Sequence, residues 1–354
     1  QGIGNILNSV GQESSENPGH CKRTSGGKTY WGIANGNKNV LKLLADRDIP
    51  LVVRIIGNVS SAHPAPKTGW IDGLTAYDSW DYGGSVGDNG NMARMKDCKN
   101  ITIEGIGPDA CVDGWGFHFM ASTATPDYGK NFEVRNIAFR NVPEDCIGME
   151  GIQEGGKITA PILHGWVHNC SFYAPSISPC AESDKDGGDG ACDFKRGEYF
   201  TMDYCYYEGY HKTNLVGSSD SSLQYNITWH HNHYKNCESR GPLGRQANMH
   251  IYNCIYEGQT SYAMQTRANC YIVSEYNSFV GSKNSQQVKG GGPIKSFNDV
   301  FSGCIEALDG TIVELLPQLM SPFDPDMAAF VHGVFFNYCV KMEMFSVLVV
   351  VEGS

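Results

Sequence analysis

Short strands of alternating polarity recur along the middle of the chain, and each ends in an aromatic residue. Before that aromatic come an Asn or other polar residue and two intervening positions, as in VRNIAF, VHNCSF and HHNHY. Successive aromatics lie 33, 35, 27, 22, 23 and 22 residues apart. Such a strand cannot bury its apolar side alone, so the repeat predicts stacked coils. The aromatic positions are Phe139, Phe172, Tyr207, Tyr234, Tyr256, Phe279 and Phe301.

The repeat predicts an all-β protein, a right-handed parallel β-helix that forms a single domain over residues 1–354. Propeller blades are excluded because they need about 40 residues and four strands each. We expect the coils at about 50–305 and an N-terminal cap at 1–49, with a short helix in NKNVLKLLADRDIP. Residues 306–354 form a tail that could cap the coils, pack back along them or mediate assembly.

Charged residues lie at nearly the same distance along the chain from the aromatic of their own coil; this distance is called their station on the coil. Asp145, Lys212 and Arg240 lie six, five and six residues beyond the aromatic of their own coil. Neighbouring coils are about 4.8 Å apart, so these side chains should form a column on one side of the helix. The largest insertion, between the coils of Asp145 and Lys212, carries Asp189 and Asp193. Carboxylates and cations are therefore expected to converge on one stripe.

Composition narrows the class of protein. The formal net charge of −11 argues against a nucleic-acid binder, which normally carries a basic face. The 42 glycines and 18 tyrosines, with only 18% charged residues, suit a β protein dense in turns. The apolar segment MFSVLVVVEG is too short to span a bilayer.

Thirteen cysteines without a CxxC pair predict disulfide bonds in an oxidising compartment, with at least one thiol left over because the count is odd. We therefore expect a secreted protein, as a monomer, from which a targeting segment before QGIGNILNSV has been removed. Cys170 and Cys205 both lie two residues before their aromatic, so they could touch on adjacent coils. Whether they bond or only pack is open at this point.

The segment WHHNHY contains three histidines, which invites a metal interpretation. Strand alternation would send His231 and His233 to one side and His230 to the other, and no further Cys or His partner has fitting spacing. Structural stacking is the favoured interpretation.

Three segments together resemble the core of a known family. DGACDFKRGEYFTM, YHKTNLVGSSD and YNITWHHNHYKNCESRGPLGR are similar to the pectate lyases of the pectate/pectin lyase superfamily. The likeness runs from about residue 51 to about residue 301, with Asp-Gly-x-x-Asp, His-Lys-Thr and Arg-x-Pro-x-x-Arg in the family's order. Together these motifs are specific, whereas any one alone would be weak.

The resemblance implies a parallel β-helix that cleaves the polygalacturonate of pectin by calcium-dependent β-elimination, giving 4,5-unsaturated oligogalacturonides. It implies that Arg240 abstracts the proton, and that Lys212 and Arg245 bind substrate carboxylates or the reacting sugar. The Gly-Pro-Leu-Gly bend lets Arg240 and Arg245 point into the same cleft. An arginine base predicts an alkaline optimum, since guanidinium is ordinarily protonated.

The resemblance also implies a calcium site. Its expected ligands are Asp145, Asp189 and Asp193. Asp189, the first residue of the Asp-Gly-x-x-Asp motif, stands where many relatives carry Glu. A further aspartate of some relatives falls near Pro143 and Glu144, so Glu144 or water would have to complete the set. Hard oxygen ligands suit Ca²⁺ rather than zinc.

Three other functions compete with this one. A pectin lyase acting on methyl-esterified substrate needs no calcium, which disagrees with the carboxylate cluster. A polygalacturonase needs paired aspartates around water, and no Asn-Thr-Asp or Asp-Asp motif falls on matching coils. A non-catalytic carbohydrate-binding or surface-assembly β-helix would not require Lys212, Arg240 and Arg245 together.

Overall fold

The described part of this computed structural model comprises residues 22–25, 28–31, 50–60, 92–96, 99–142, 145–175, 189–306, 308–309 and 347–352. The helix expected before residue 50 and most of the large insertion fall outside these ranges, as does Glu144. The described residues contain thirty strands, numbered β1 to β30 in chain order, and no helix. None of them therefore belongs to a helix that could cross a bilayer.

Successive coils each contribute one short strand to a nine-stranded parallel sheet, here named the cleft sheet. Its strands are β4 Met92–Lys96, β6 Gly116–Met120, β9 Ile147–Glu150, β14 Cys192–Lys195, β17 Asn214–Val216, β20 Leu243–Arg245, β23 Met264–Arg267, β26 Gln286–Val288 and β29 Leu308–Asp309.

A second, seventeen-stranded sheet consists of a long ladder and a short ladder of parallel strands, joined through β5. The long ladder contains β3 Leu51–Ser60, β5 Lys99–Asp113, β7 Lys130–Arg135, β12 Ile162–His168, β15 Gly197–Asp203, β18 Gln224–His230, β21 Asn248–Tyr252, β24 Tyr271–Glu275, β27 Ile294–Phe297 and β30 Val347–Glu352. The short ladder contains β8 Ala138–Arg140, β13 Ser171–Tyr173, β16 Tyr206–Glu208, β19 His233–Lys235, β22 Ile255–Glu257, β25 Ser278–Val280 and β28 Val300–Ser302.

Two antiparallel hairpins accompany the coils. They are β1 Lys22–Ser25 with β2 Lys28–Trp31, and β10 Ile152–Glu154 with β11 Lys157–Ala160. From the C-terminal region, β30 pairs in parallel with β3 on the side away from β5. This pairing covers an edge of the long ladder that would otherwise present unpaired backbone groups. The remaining described strands repeat with the coil, as the parallel β-helix predicted from the sequence requires.

The corner between the long and short ladders explains the polar residue of the repeat. Its backbone is left-handed, and Asn tolerates that region better than most residues because its short side chain can bond locally. Tyrosine and histidine occupy the other corners of the same column. The positive φ values are 56° at Asn136, 52° at Asn169, 49° at Tyr204, 52° at His231, 54° at Asn253, 53° at Tyr276 and 56° at Asn298.

The seven repeat aromatics form one stack through the interior. Adjacent rings from Phe139 to Phe301 have centroids 4.5 to 5.0 Å apart and planes within 8° of parallel. Each ring lies opposite the next in strand register, for example Phe172 opposite Tyr207. The buried hydroxyl of Tyr234 accepts a hydrogen bond of 2.6 Å from Trp229 Nε1. The repeat predicted from the sequence is therefore confirmed coil by coil.

The disulfide prediction is wrong for the part of the chain described, where all nine cysteines are free thiols and all but Cys304 are buried. Cys170 and Cys205 do stack on adjacent coils, but each Sγ donates to a carbonyl two residues before it, His168 O or Asp203 O, both at 3.3 Å. Parallel strands in register point equivalent side chains the same way, so these thiols pack side by side without forming a bond.

Candidate functional site

Two buried carboxylates meet at the edge of the cleft sheet. Asp145 immediately precedes the coil segment leading into β9, and Asp193 lies on the neighbouring strand β14. A methyl group built on Gly190 would lie 2.8 Å from Asp145 Oδ1 and 3.3 Å from Asp193 Oδ1. Both carboxylates therefore border the space that the absent side chain of Gly190 leaves open. The amide of Leu215 donates to Asp193 Oδ1 at 3.1 Å and fixes that carboxylate.

A lysine that the sequence interpretation overlooked neutralises this pair. The ammonium of Lys195 lies 3.1 Å from Asp193 Oδ2 and 3.7 Å from Asp145 Oδ2. Burial lowers the pKa of Lys195, but the charges of Asp193 and Asp145 outweigh burial and hold that pKa above its usual value. The sequence could have revealed this contact, because Asp193 and Lys195 are two residues apart on one strand and such residues project on the same side.

The next carboxylate along the sheet is Glu150, which lies opposite Lys195 in register. Its Oε2 is 3.3 Å from His118 Nε2, and its Oε1 accepts a hydrogen bond from Arg196. Burial raises the pKa of Glu150, but the His118 hydrogen bond, the charge of Lys195 and the Arg196 hydrogen bond together lower it to about 2. Glu150 is thus an ionised, firmly held anion beside the carboxylate pair.

The third expected ligand, Asp189, is half-buried and directly precedes Gly190. Over the described ranges, no three His, Cys, Asp or Glu side chains are arranged so that they could hold a metal ion. The structure thus brings Asp145 and Asp193 together around Gly190, and leaves Asp189 outside such a cluster. Two buried carboxylates bordering one open space are nevertheless the hard donors that a calcium ion requires.

The expected column of charged residues follows the hydrogen-bonded pairing between neighbouring coils. The amide of Cys146, which follows Asp145, donates to Gly190 O at 3.3 Å, linking the first two coils. Lys212 forms a parallel bridge with Ser239, the residue before Arg240, linking the next two. Asp145, Gly190, Lys212 and Arg240 therefore follow one another on consecutive coils.

Arg240 lies in the turn that leads into β20. Its backbone is left-handed, with φ of 60°, a conformation that costs a non-glycine residue roughly 1–2 kcal/mol. The turn is held by two hydrogen bonds, from Asn214 N to Arg240 O at 2.7 Å and from Gly241 N to Ala263 O at 2.6 Å. Burial raises the pKa of Tyr262, and the charges of Arg240 and Arg267 oppose that rise. The charges of Arg240 and Arg267 thus both act on Tyr262.

Arg245 ends β20 and is held in place by hydrogen bonds. Its Nε donates to Asp220 Oδ1 at 3.1 Å, and its Nη1 donates to Gly217 O at 3.0 Å. Burial lowers the pKa of Arg245, and the nearby charges of Arg267 and Arg240 lower it further, against the opposing effect of Asp220. The three arginines thus form one cationic group at the cleft sheet.

Arg267 is a second residue that the sequence interpretation missed. It lies opposite Arg245 in strand register, and its Nε donates to Gln265 Oε1 at 2.5 Å. Arg267 stands 22 residues after Arg245, which is one coil of the regular repeat. The spacing alone would have identified it as a neighbour.

The histidines of WHHNHY stack, but not on the sides that simple alternation predicts. The strand is broken by the left-handed corner at His231, so the prediction of opposite sides for His230 and His231 is wrong: their Nδ1 atoms lie 2.9 Å apart. His230 stacks on Tyr252 and His231 stacks on Tyr204, with ring centroids 4.8 and 4.6 Å apart.

Comparison with known proteins relates the chain to polysaccharide lyases. A family model described as Pectate lyase matches residues 86–310. The pectate lyase of Bacillus subtilis (strain 168) is 31% identical over 235 residues, covering 60% of this chain and 54% of that protein. A pectate trisaccharide-lyase of Bacillus licheniformis is 32% identical over 197 residues, covering 54% of this chain and 51% of that protein. The chain spans about half the length of these curated relatives.

Solved structures resemble the fold over a longer stretch. Pectate lyase II from Xanthomonas campestris pv. campestris aligns with a TM-score of 0.57 and 22% identity, covering 77% of this chain and 78% of that one. A variant pectate lyase from Xanthomonas campestris aligns with a TM-score of 0.59 and 22% identity, covering 83% and 88%. At this level of identity the likeness bears on the fold alone, the parallel β-helix.

Proposed function

Because the chain belongs to the pectate lyase family, we propose that it cleaves polygalacturonate, the acidic backbone of pectin, by β-elimination. One observation carries the proposal: Asp145, Lys212 and Arg240 recur along one side of the stacked coils beside the cleft sheet, with the coil of Gly190 between the first two. Asp193 and Arg245 stand next to this column, on strands of the same sheet. An acid sugar polymer needs such fixed cations, and elimination next to a carboxylate needs its charge neutralised.

In the proposed reaction Arg240 takes the proton from C5 of a galacturonate residue. The C5–H electrons form the C4–C5 double bond, and the C4–O bond to the next sugar breaks, so that the leaving chain keeps the oxygen and takes up a proton. Lys212 and Arg245 bind the substrate carboxylates and stabilise the charge that develops in the transition state. The product is a 4,5-unsaturated oligogalacturonide.

We assign a calcium ion to the carboxylates of Asp145 and Asp193. Asp189, which directly precedes Gly190, would have to turn towards the ion to become a third ligand. The first two are buried and adjacent to the open space over Gly190, which fits a hard cation that accepts several oxygen ligands. When bound, calcium would offset the substrate carboxylate's charge and so make the C5 proton more acidic.

The function is tested by following polygalacturonate in the near ultraviolet, where the new conjugated double bond absorbs. We expect absorbance to rise with added calcium and to stop rising when EDTA is added. Chain shortening without absorbance would mean a hydrolase. Activity on methyl-esterified pectin that survives EDTA would mean a pectin lyase, and polymer binding without product would mean a non-catalytic protein.

Secretion belongs to the same proposal. Polygalacturonate is a polymer of plant cell walls that does not enter cells, so an enzyme that cuts it has to meet it outside. Buried thiols are compatible with an oxidising compartment because they are inert and exposed to neither oxidant nor partner.

We further propose that residues 1–354 form one β-helix domain and act as a monomer, since each coil buries its apolar side on its neighbours.

A further inference from the structure

The carboxylate pair assigned to calcium already has a cation, the ammonium of Lys195. It lies within ion-pair distance of Oδ2 of both Asp193 and Asp145, at 3.1 and 3.7 Å. The other oxygen, Oδ1, of each aspartate borders the space at Gly190. The lysine therefore bridges the two acids from one side, and the side chain is only 18% exposed.

A divalent ion and this ammonium cannot share the two aspartates as they stand. Calcium binds carboxylate oxygens at about 2.3–2.6 Å, so an ion on either aspartate would lie within roughly 6 Å of Lys195 Nζ in a poorly screened region. Repulsion between them is strongest where water is excluded. Either calcium binding is weakened by the lysine, or the lysine leaves the carboxylates when calcium arrives.

A second acceptor for the ammonium stands beside it. Glu150 lies opposite Lys195 on the adjacent strand, and its negative charge acts on the lysine. Hydrogen bonds from His118 and Arg196 hold Glu150 in place, so its carboxylate stays put when the lysine moves. The side chain of Lys195 can thus turn from the aspartates towards Glu150 without becoming an unpaired buried charge.

We propose that Lys195 is the resident counter-ion of the Asp145–Asp193 pair, which calcium must displace, and that Glu150 receives the displaced ammonium. The inference rests on the proposed function for the identity of the metal. Lys195 keeps the ion-free protein folded by neutralising two buried acids, at the expense of calcium affinity. Lys195 and Glu150 are positioning residues in this account, and neither is given a chemical step.

The test measures calcium binding by calorimetry, together with the melting temperature in EDTA and in calcium. In Lys195→Met the calcium Kd should fall about tenfold, because the competing charge is gone. Its melting temperature should drop in EDTA, since truncating one partner of a buried ion pair leaves the other uncompensated, and calcium should raise it by more than in the wild type. Lys235→Met, on β19 away from the cleft sheet, controls for net charge and should keep the wild-type Kd.

Glu150→Gln gives the opposite prediction. It removes the negative charge that would receive the displaced ammonium, so the calcium Kd should rise, and in the Lys195→Met background the same substitution should have a much smaller effect. A double-mutant cycle measures that difference directly. If Lys195→Met does not fold without calcium, Lys195→Gln serves instead, because its amide still donates hydrogen bonds to the aspartates while carrying no charge.

A calcium Kd in the lysine variants equal to or weaker than that of the wild type would overturn the counter-ion role. Equal effects of Glu150→Gln in both backgrounds would overturn the transfer to Glu150. Neither result touches the proposed function as long as the wild type makes unsaturated product with calcium. A wild type that makes no such product rejects the proposed function, whatever the variants bind.

Discussion

Arg245 and Arg267 lie side by side in strand register on adjacent coils, although both are cationic. Like charges directly opposite each other in a sheet are destabilising. Asp220 offsets only part of this repulsion, because it pairs with Arg245 from a largely exposed position. A bound anion with repeated charges would offset this repulsion, and polygalacturonate carries one carboxylate on each sugar. The relationship points to substrate binding beyond the residues that the family motifs identify.

Replacing Arg267 by Met should weaken substrate binding more than it slows the chemical step. Loss of one charge-assisted hydrogen bond is worth about 1.5–3 kcal/mol, so KM for polygalacturonate should rise about tenfold or more. The measurement is steady-state kinetics in calcium, in which KM and kcat are separated. Arg140→Met, on the short ladder, is the matched control and should leave KM unchanged. A fall in kcat with constant KM would contradict this role.

Glu150 predicts a dependence of stability on pH. Its pKa is lowered from an ordinary 4.5 to about 2, so its stabilisation is fully present above pH 4.5 and is lost as pH falls towards 2. Glu150→Gln should therefore lower the free energy of unfolding at pH 7 by about 3 kcal/mol. Denaturant unfolding at several pH values should show that difference shrinking below pH 4.5. A difference that is constant with pH would contradict the assignment.

The aromatic stack predicts a large cost for removing one ring. Phe172 is fully buried between Phe139 and Tyr207, so Phe172→Ala should lower the free energy of unfolding by about 3–5 kcal/mol. Tyr276 is aromatic but 62% exposed, at a left-handed corner. Tyr276→Asn should therefore change stability by less than about 0.5 kcal/mol. Equal losses in the two variants would mean that the stack is not what holds the coils together.

The buried thiols predict a specific labelling pattern. Cys170 and Cys205 should resist alkylation in the native protein because burial protects them and, for Cys205, raises the pKa. Both should be alkylated in denaturant without any reductant. Peptide mapping by mass spectrometry reads this out, and a disulfide-linked peptide containing both cysteines would contradict the structure.

The repeat was predictable because each coil places the same kinds of residue at the same station. An inward aromatic recurs with every coil, and the left-handed corner before it favours Asn, so Phe139 and Asn136 leave a visible pattern. Counting residues from each aromatic likewise predicted that Lys212 lies beside the coil of Arg240, and Lys212 does pair with Ser239. Periodicity carries such information because stacked coils convert sequence spacing into contact.

Other features were missed or misread for physical reasons. Cysteine counting cannot tell whether stacked thiols point at each other, and in parallel register Cys170 and Cys205 point the same way. Simple alternation failed at His231 because a left-handed corner interrupts the strand. The position of Lys195 beside Asp193 could have been predicted, because residues two apart on a strand project on the same side. The pairing of Glu150 with Arg196 could not be predicted, because a long insertion separates the two residues in the sequence.

In the proposed reaction the guanidinium of Arg240 takes the proton, so its replacement should abolish elimination. The measurement is the near-ultraviolet absorbance of polygalacturonate in calcium, with wild type beside Arg240→Ala and Arg240→Lys. We expect a steady rise with wild type, steeper at alkaline pH, and a loss of at least about a hundredfold in kcat in both variants, since positioned proton transfer contributes typically that much or more. Unsaturated product formed by Arg240→Ala at close to the wild-type rate would contradict that role of Arg240.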